Sequence, residues 1–378
     1  MKIAIASTLR PYNEARLFDR QALLWAEHGN DVHIFARDFG EALEPLPSNL
    51  SVTRLRSTLS GWPRRLHLGW QAVRAISALK PDVVHYHDPE LHFWLPWLAR
   101  RGTKIVYDVR ENHPFLIEHF NRFKVRHLSV FFAKLFWRVE ATALRHGFLV
   151  SVTRRVADIY RPLRRPTVTV MNFASRRRFA QHRPSRDPVM ICGGTLNQDR
   201  GLTEMVQLVS AVRRRVPEVR LLLCGSFASL KLKSEVLSYA RHCGVESSID
   251  LLERVSHREY ITSVLPRARL GISITPPNAQ NDCAFPIRLG EYWAVGLPSV
   301  TNDLPEVKAI HDADSFFDMV RYGNMDELRS TVEKYLLDYD AASEAGDLAR
   351  RRFEDIYNGE TEFDRLRGFY QATVGLSC

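Results

Sequence analysis

At 378 residues, 45% apolar and 25% charged, the chain has an ordinary globular composition and enough length for two domains. No run of eighteen apolar residues occurs, which excludes a membrane-spanning helix, and Met1-Lys2-Ile3-Ala4-Ile5-Ala6-Ser7 reads as a first strand, not a leader peptide. The net charge of +10 is confined to the first half: residues 1–170 hold 26 Lys/Arg against 15 Asp/Glu, and the remainder 27 against 28.

In chain order, short β-branched apolar runs predict strands at 2–7, 31–36, 50–55, 82–87, 104–109, 148–152 and 167–171. Helical patterns at 14–29, 64–79, 90–100 and 120–146 separate them. Such alternation implies βαβ units around a parallel sheet. Residues 174–188 are polar and keep neither period, as a linker does. The pattern then restarts, with strands at 189–193, 219–225, 249–253, 270–275, 298–302 and 315–319. Helices near 201–215, 229–242, 257–265, 286–295 and 325–339 lie between them. The tail, 342–378, is mostly helical with no strand left to pair, so it is expected to pack outside a sheet or cross back to the first domain.

The expected architecture is therefore α/β: a Rossmann-like domain over 1–173, a linker over 174–188, a second over 189–341, and C-terminal helices over 342–378. Ligands of doubly wound sheets bind beyond the carboxyl ends of the strands. Function is thus expected in the loops after strands, in a cleft between two such domains.

The first strand runs into Ser7-Thr8-Leu9-Arg10-Pro11-Tyr12-Asn13, without the glycines that a dinucleotide fingerprint needs, and no P-loop occurs. The second domain opens differently, on Cys192-Gly193-Gly194-Thr195-Leu196-Asn197-Gln198-Asp199-Arg200-Gly201. A strand, a glycine-rich loop and a helix start with Arg200 beside it can hold a phosphate, although paired glycines also serve ordinary tight turns. Later, Pro286 suits a first helical turn, and Gly296 and Pro298 end the same helix. On it Arg288 and Glu291 share one face, either as a surface ion pair of ~0.2–0.5 kcal/mol or as a grip on one ligand. In the second reading the cation takes a phosphate and the carboxylate accepts from a diol such as ribose.

That segment, Pro286-Ile287-Arg288-Leu289-Gly290-Glu291-Tyr292-Trp293-Ala294-Val295-Gly296-Leu297-Pro298, resembles the Pro-x-Lys-x-x-Glu-Tyr-x-Ala-x-Gly-x-Pro signature of group 1 (family 4) glycosyltransferases with the GT-B fold. Glu14-Ala15-Arg16-Leu17-Phe18 is similar to that family's Asp-x-Arg-x-Phe. His85-Tyr86-His87-Asp88-Pro89-Glu90-Leu91 and Tyr107-Asp108-Val109-Arg110-Glu111 resemble its His-Asp-Pro-Glu-Leu and Tyr-Asp-x-His-Glu stretches. Gly193-Gly194 with Arg200-Gly201 matches its donor-phosphate loop, so the pieces span residues 1 to about 310 in order.

The resemblance implies retaining transfer from a nucleoside-diphosphate sugar, a co-substrate, with no cofactor and no metal. It places Arg200 and Arg288 on the donor diphosphate, with Gly193, Gly194 and Thr195 in the phosphate loop. It places Glu291 on the ribose, and Arg254 and Val255 facing the base. Arg110 and Glu111 take the family's catalytic positions beside Arg200 and Arg288; Arg16, His87, Asp88 and His113 are candidates for the acceptor. Three positions depart from the pattern: the family histidine is Arg110, a second glutamate is Cys283, and the first phosphate-loop arginine is Thr195. An altered donor or acceptor, or loss of activity, would follow from them. A nucleotide-sugar epimerase of the same build and a non-catalytic sugar-nucleotide-binding partner remain alternatives.

The cysteines, Cys192, Cys224, Cys243, Cys283 and Cys378, are odd in number and include no CxxC pair, as expected of reduced thiols in the cytoplasm. Residues 115–138 mix Phe115, Phe120, Phe123, Phe131, Phe132, Phe136 and Trp137 with Arg122, Lys124, Arg126, Lys134 and Arg138, and residues 62–70 repeat the theme. Such segments either lie at an anionic membrane surface or present a core-facing stripe with a solvated basic face. The first reading gives a peripheral enzyme on the inner face of the membrane, acting on a lipid-linked or polysaccharide acceptor. No nucleic-acid recognition motif accompanies the basic half.

Overall fold

The computed structural model describes residues 1–43, 45–119, 126–253 and 255–375. Phe120, Arg122, Phe123, Lys124, Arg254 and Cys378 of the sequence reading lie outside the described residues. The chain divides into two compact units, Met1–Asn172 with Glu360–Cys378, and Phe173–Gly359.

In the first unit the strands are β1 (Lys2–Ser7), β2 (Asp31–Arg37), β3 (Leu50–Leu55), β4 (Val83–Tyr86), β5 (Lys104–Val109), β6 (Phe148–Ser151) and β7 (Thr167–Thr169). They form one parallel sheet in the order β3-β2-β1-β4-β5-β6-β7. The central strands are buried on both faces, so they read as unbroken apolar runs without alternation. Strand order reverses between β1 and β4, and the loops leaving these two strands meet there. The C-terminal helix Gly359–Phe369 and the turn Tyr370–Val374 after it belong to this core: Phe363 and Tyr370 each place their rings 4.8 Å from that of Trp25.

The second unit holds β8 (Val189–Gly193), β9 (Arg220–Cys224), β10 (Ile249–Leu252), β11 (Leu270–Ser273), β12 (Ser299–Asn302) and β13 (Asp318–Val320). These are parallel in the order β10-β9-β8-β11-β12-β13, with the reversal between β8 and β11. Helices Leu202–Val212 and Met325–Leu337 bury Val206, Val209, Leu328 and Val332 in one core with Met190, Leu221 and Ile272.

The sequence reading set boundaries at 173/174 and 341/342, whereas compactness sets them at 172/173 and 359/360. The physical cause lies in the flanking segments. His182 N–H bonds the Val295 carbonyl at 2.8 Å and Ser185 N–H that of Ala268 at 2.9 Å, so residues 174–188 are strapped to the second unit. Helix Tyr339–Asp355 also docks there, through Arg350 on the carbonyls of Phe179 and Ala294. Three helices were not anticipated: His113–His119, Arg154–Tyr160 and Pro305–Ala313. Each spans at most nine residues, too short to repeat an apolar period.

Candidate active site

In the second unit the reversal point is built from three segments. β8 leads into the loop Gly193–Thr195, β11 leads into Ile274–Thr275, and helix Ile287–Val295 starts alongside. Gly193 is required by packing, because a Cβ there would stand 2.1 Å from the Tyr260 hydroxyl. Gly194 and Thr195 form the exposed tip. Asn302, at the end of β12, clamps Thr275 from both sides: its Oδ1 accepts from the Thr275 N–H at 2.7 Å and its Nδ2 donates to the carbonyl at 3.1 Å.

Arg288 projects from the first turn of that helix and bridges the reversal. Its Nε donates to Ser273 Oγ at 2.9 Å, Nη2 to Thr275 Oγ1 at 3.2 Å and Nη1 to Cys192 Sγ at 3.5 Å. All three partners are neutral, so the guanidinium is aimed but not neutralised. Arg200 leaves the loop's short turn Gln198–Arg200, with Nε on the Thr195 carbonyl at 3.1 Å. Burial, and then the charge of Arg288, pull the Arg200 guanidinium down to about 10. Among the described residues neither arginine has a carboxylate within ion-pair distance. Helices Leu202–Val212 and Ile287–Val295 both begin without a side-chain cap, which leaves first-turn amides to add to the positive field. Two guanidinium groups without an ion-pair partner among the described residues, beside two helix starts, can receive a multiply charged anion.

Glu291 lies one turn further along and is mostly buried; His257 Nε2 is 2.8 Å from its Oε1. Arg288 and Glu291 therefore form no ion pair with each other. The neighbouring Tyr292 lies under the sheet, its hydroxyl on the Ile191 carbonyl at 3.1 Å. Val255 is half-buried between β10 and the short helix His257–Glu259, and Cys283 is half-buried in the turn Asn281–Cys283 ahead of the Arg288 helix. His257 was missed by the sequence reading; no local pattern marks a histidine that meets a carboxylate 34 residues away.

In the first unit the reversal point is a dense polar hub. Arg16 is 1% exposed and grips Asp108 with two bonds, Nε to Oδ2 at 2.8 Å and Nη2 to Oδ1 at 2.9 Å, while Nη1 donates to the Val170 carbonyl at 3.0 Å. Arg16 is thus closed off inside the unit, although its motif suggested an acceptor contact. Asp88 is likewise occupied: its Oδ2 accepts from Ser7 Oγ and Thr8 N, both at 2.7 Å, and from Leu9 N at 3.2 Å. Burial and the neighbouring Glu90 push the Asp88 carboxyl up. Arg65 grips Glu90 with two bonds, at 2.6 and 3.0 Å, which braces the same loop.

Arg110 is held by Glu14 at 3.1 Å, and its Nε donates to His87 Nδ1 at 3.3 Å. Burial pushes the Glu14 carboxyl up, but Arg110 outweighs it and holds the group at about 2. Nδ1 of His87 lies 3.3 Å from Arg110 Nε and 3.4 Å from Asp108 Oδ2; with Arg110 as the donor to Nδ1, a neutral ring carries its proton on Nε2, which is buried and has no partner among the described residues. Burial and Arg110 keep His87 well below the usual histidine range, so the neutral ring is the stable form. His113 stacks on Phe136 with centroids 6.1 Å apart, and burial with Arg65 lowers it to about 4; it too is neutral at pH 7. Glu111 is half-buried in the bend that precedes it.

His85, His87 and Asp108 bring possible metal-ligand atoms within 4.8 Å of one another. Asp108 Oδ2 already accepts from Arg16 at 2.8 Å and Gln21 at 2.6 Å, and guanidinium groups flank the cluster. Burial alone would raise the Asp108 carboxyl, but Arg16 and the histidines hold it well below the ordinary range. The trio fits a hydrogen-bond hub better than a cation site.

Two family descriptions match the chain: Glycosyltransferase Family 4 over residues 15–173 and Glycosyl transferases group 1 over residues 187–338. No curated protein matches by sequence. A sucrose-phosphate synthase from Thermosynechococcus elongatus shares the fold, with TM-score 0.71, 13% identity and full coverage of both chains. HepE from Anabaena, solved in complex with UDP, aligns with TM-score 0.72 and 12% identity over 98% of this chain and 100% of that one. WaaG, a glycosyltransferase involved in lipopolysaccharide biosynthesis, gives TM-score 0.67 and 13% identity over 98% and 99%. With both halves of the chain matched in order and the two-sheet fold shared, this protein is a glycosyltransferase and belongs to the group 1 (family 4) enzymes of GT-B fold.

Proposed function

We propose that the enzyme moves a sugar, with retention of configuration, from a nucleoside-diphosphate sugar to a lipid-linked or cell-surface polysaccharide acceptor. The observation that carries this reading is the convergence of Arg200 and Arg288 without a carboxylate between them. As the bond from anomeric carbon to phosphate oxygen breaks, its electron pair stays on the diphosphate. Pre-placed guanidinium groups stabilise that charge, and losing one such donor costs about 2.7–4 kcal/mol in barrier. The same two groups fill the role that a divalent cation has elsewhere, so the proposed reaction needs no metal and no other cofactor. The leaving phosphate oxygen takes the proton of the attacking acceptor hydroxyl.

Around this centre, Gly193, Gly194 and Thr195 form the phosphate loop, Glu291 receives the ribose hydroxyls and Val255 faces the base. Arg254 keeps the role the resemblance gives it. In the first unit the Nε2–H of His87 is the donor offered to the acceptor hydroxyl. Arg110 keeps that proton on Nε2, and Glu111 and His113 border the same loop. Arg16 and Asp88 act by positioning it. The UDP held by HepE and the pathway of WaaG support a nucleotide donor and a surface-polysaccharide acceptor.

The same reading places the enzyme peripherally on an anionic leaflet at the cytoplasmic side. Helix Gly61–Leu79 exposes Trp62, Leu66 and Trp70 at four-residue spacing, and helix Arg126–Ala143 exposes Leu128, Phe131, Phe132 and Leu135. Between them in the chain, Phe93 and Trp97 are also exposed. Arg65, Arg74 and Arg101 lie over the rings of Trp62, Trp70 and Trp97, at 4.5, 5.4 and 3.8 Å. Rings and cations paired in this way suit a headgroup layer. No described helix is long and apolar enough to cross a membrane.

The donor assignment is tested by thermal shift with UDP-, GDP-, ADP- and TDP-sugars. At 100 times its Kd the true donor stabilises by about 2.7 kcal/mol. Arg200→Ala, Arg288→Ala and Glu291→Ala each remove most of that shift; full shifts in all three refute the site.

A further inference from the structure

We infer that His257 is a positioning residue for the donor nucleoside, acting through Glu291. This rests on the proposed donor site and adds a residue to it. His257 opens the short helix His257–Glu259, in the loop that follows β10, and Ser256 caps that helix with Oγ on the Glu259 N–H at 3.1 Å. The cap fixes the backbone that carries the ring. Phe179, itself buried, meets it edge-on with centroids 6.0 Å apart. From this seat Nε2 reaches Glu291 Oε1 at 2.8 Å, joining the helix that carries Arg288 to the loop that holds Val255.

The chemistry of a ribose explains why such a tie matters. A vicinal diol donates two hydrogen bonds to one carboxylate, which requires both oxygens to be turned toward it and the group to remain ionised. A glutamate side chain has three rotatable bonds and loses that orientation easily. One N–H on Oε1 fixes the carboxylate plane and still leaves a lone pair on Oε1 and the whole of Oε2 for the diol. The side chains are 37% and 13% exposed for His257 and Glu291, so the pair stands at the surface of the site and not inside the core. His257 touches neither the reacting carbon nor the diphosphate. Its loss is expected to weaken nucleotide binding without slowing chemistry.

The experiment is calorimetric titration of UDP, GDP and ADP, and of their 2′-deoxy counterparts, into wild type, His257→Ala, His257→Gln and Glu291→Ala. His257→Ala is expected to weaken the best ribonucleotide on the order of tenfold. Its 2′-deoxy form should weaken less than threefold, because the diol contact is the one that depends on the histidine. Gln places an N–H close to the position of Nε2 and should restore most of the affinity. In turnover assays the donor KM should rise in His257→Ala while kcat changes less than twofold. Equal losses for both nucleotide forms, an unchanged affinity, or tighter binding in His257→Ala overturns the inference while leaving the donor site intact. If Glu291→Ala binds like wild type, or no nucleotide binds wild type, the donor-site reading fails instead, and this inference with it.

Discussion

Glu140 lies on the inner side of helix Arg126–Ala143, fully buried, and replacing it by glutamine tests the electrostatics of the first unit. The Tyr160 hydroxyl donates to Oε1 at 2.8 Å. Burial pushes the carboxyl from its ordinary 4.5 up to about 8, with the hydroxyls of Tyr160 and Tyr107 offsetting only part of the effect. Between those two pH values the folded protein keeps a proton that the unfolded chain has already released. Stability therefore falls as pH rises across that window, the reverse of a salt-bridged carboxylate. At about 1.36 kcal/mol per pH unit, the loss reaches about 3 kcal/mol at pH 7 and about 5 kcal/mol above pH 8. Glu140→Gln keeps the shape and the acceptor and removes the titration. Six of the seven tryptophans lie within residues 1–172, so urea unfolding followed by fluorescence reports on this unit. The variant should match wild type near pH 4.5 and exceed it by several kcal/mol at pH 8. A difference that is the same at both pH values would refute the reasoning.

Other outcomes follow from the same geometry. Asp108→Ala leaves Arg16 buried and unpaired, and should cost about 3–5 kcal/mol in urea unfolding of the first unit. Gly225 has φ +147° and a Cβ there would stand 1.9 Å from the Gly194 carbonyl oxygen, so Gly225→Ala must displace the phosphate loop. It should destabilise by about 1–3 kcal/mol and abolish the donor-induced thermal shift; an intact shift would contradict the placement of that loop. Trp62→Ser with Trp70→Ser and Phe131→Ser should leave the melting temperature near that of wild type and sharply reduce flotation with anionic vesicles. Equal recovery of wild type with neutral and anionic vesicles would remove the membrane reading.

Much of the architecture was legible because both sheets are parallel and buried, so each strand announces itself as an apolar run between helices. All thirteen strands lie within or beside the predicted runs. The largest shift is at β13, expected at 315–319 and found at Asp318–Val320. Phe316 and Phe317 are strand-like residues by type, but both turn to Trp293, at 4.7 and 5.1 Å, and that contact is invisible locally. The helix that sets Arg288 and Glu291 one turn apart was also legible, from Pro286 before it and Gly296 and Pro298 after it.

What the linear order could not decide is which charged groups are free to act. Arg16 and Arg288 look equivalent in their motifs, and both are buried, yet one is paired with the carboxylate of Asp108 while the other, among the described residues, bonds the neutral Ser273, Thr275 and Cys192. Arg110, in a histidine's place, meets a glutamate 96 positions away, and Glu291 meets His257 instead of its helical neighbour Arg288. Strand and helix periodicity are properties of nearest neighbours along the chain, and the sequence determines them by itself. Charge compensation depends on which strand ends meet at the sheet reversals, and only the tertiary structure decides that.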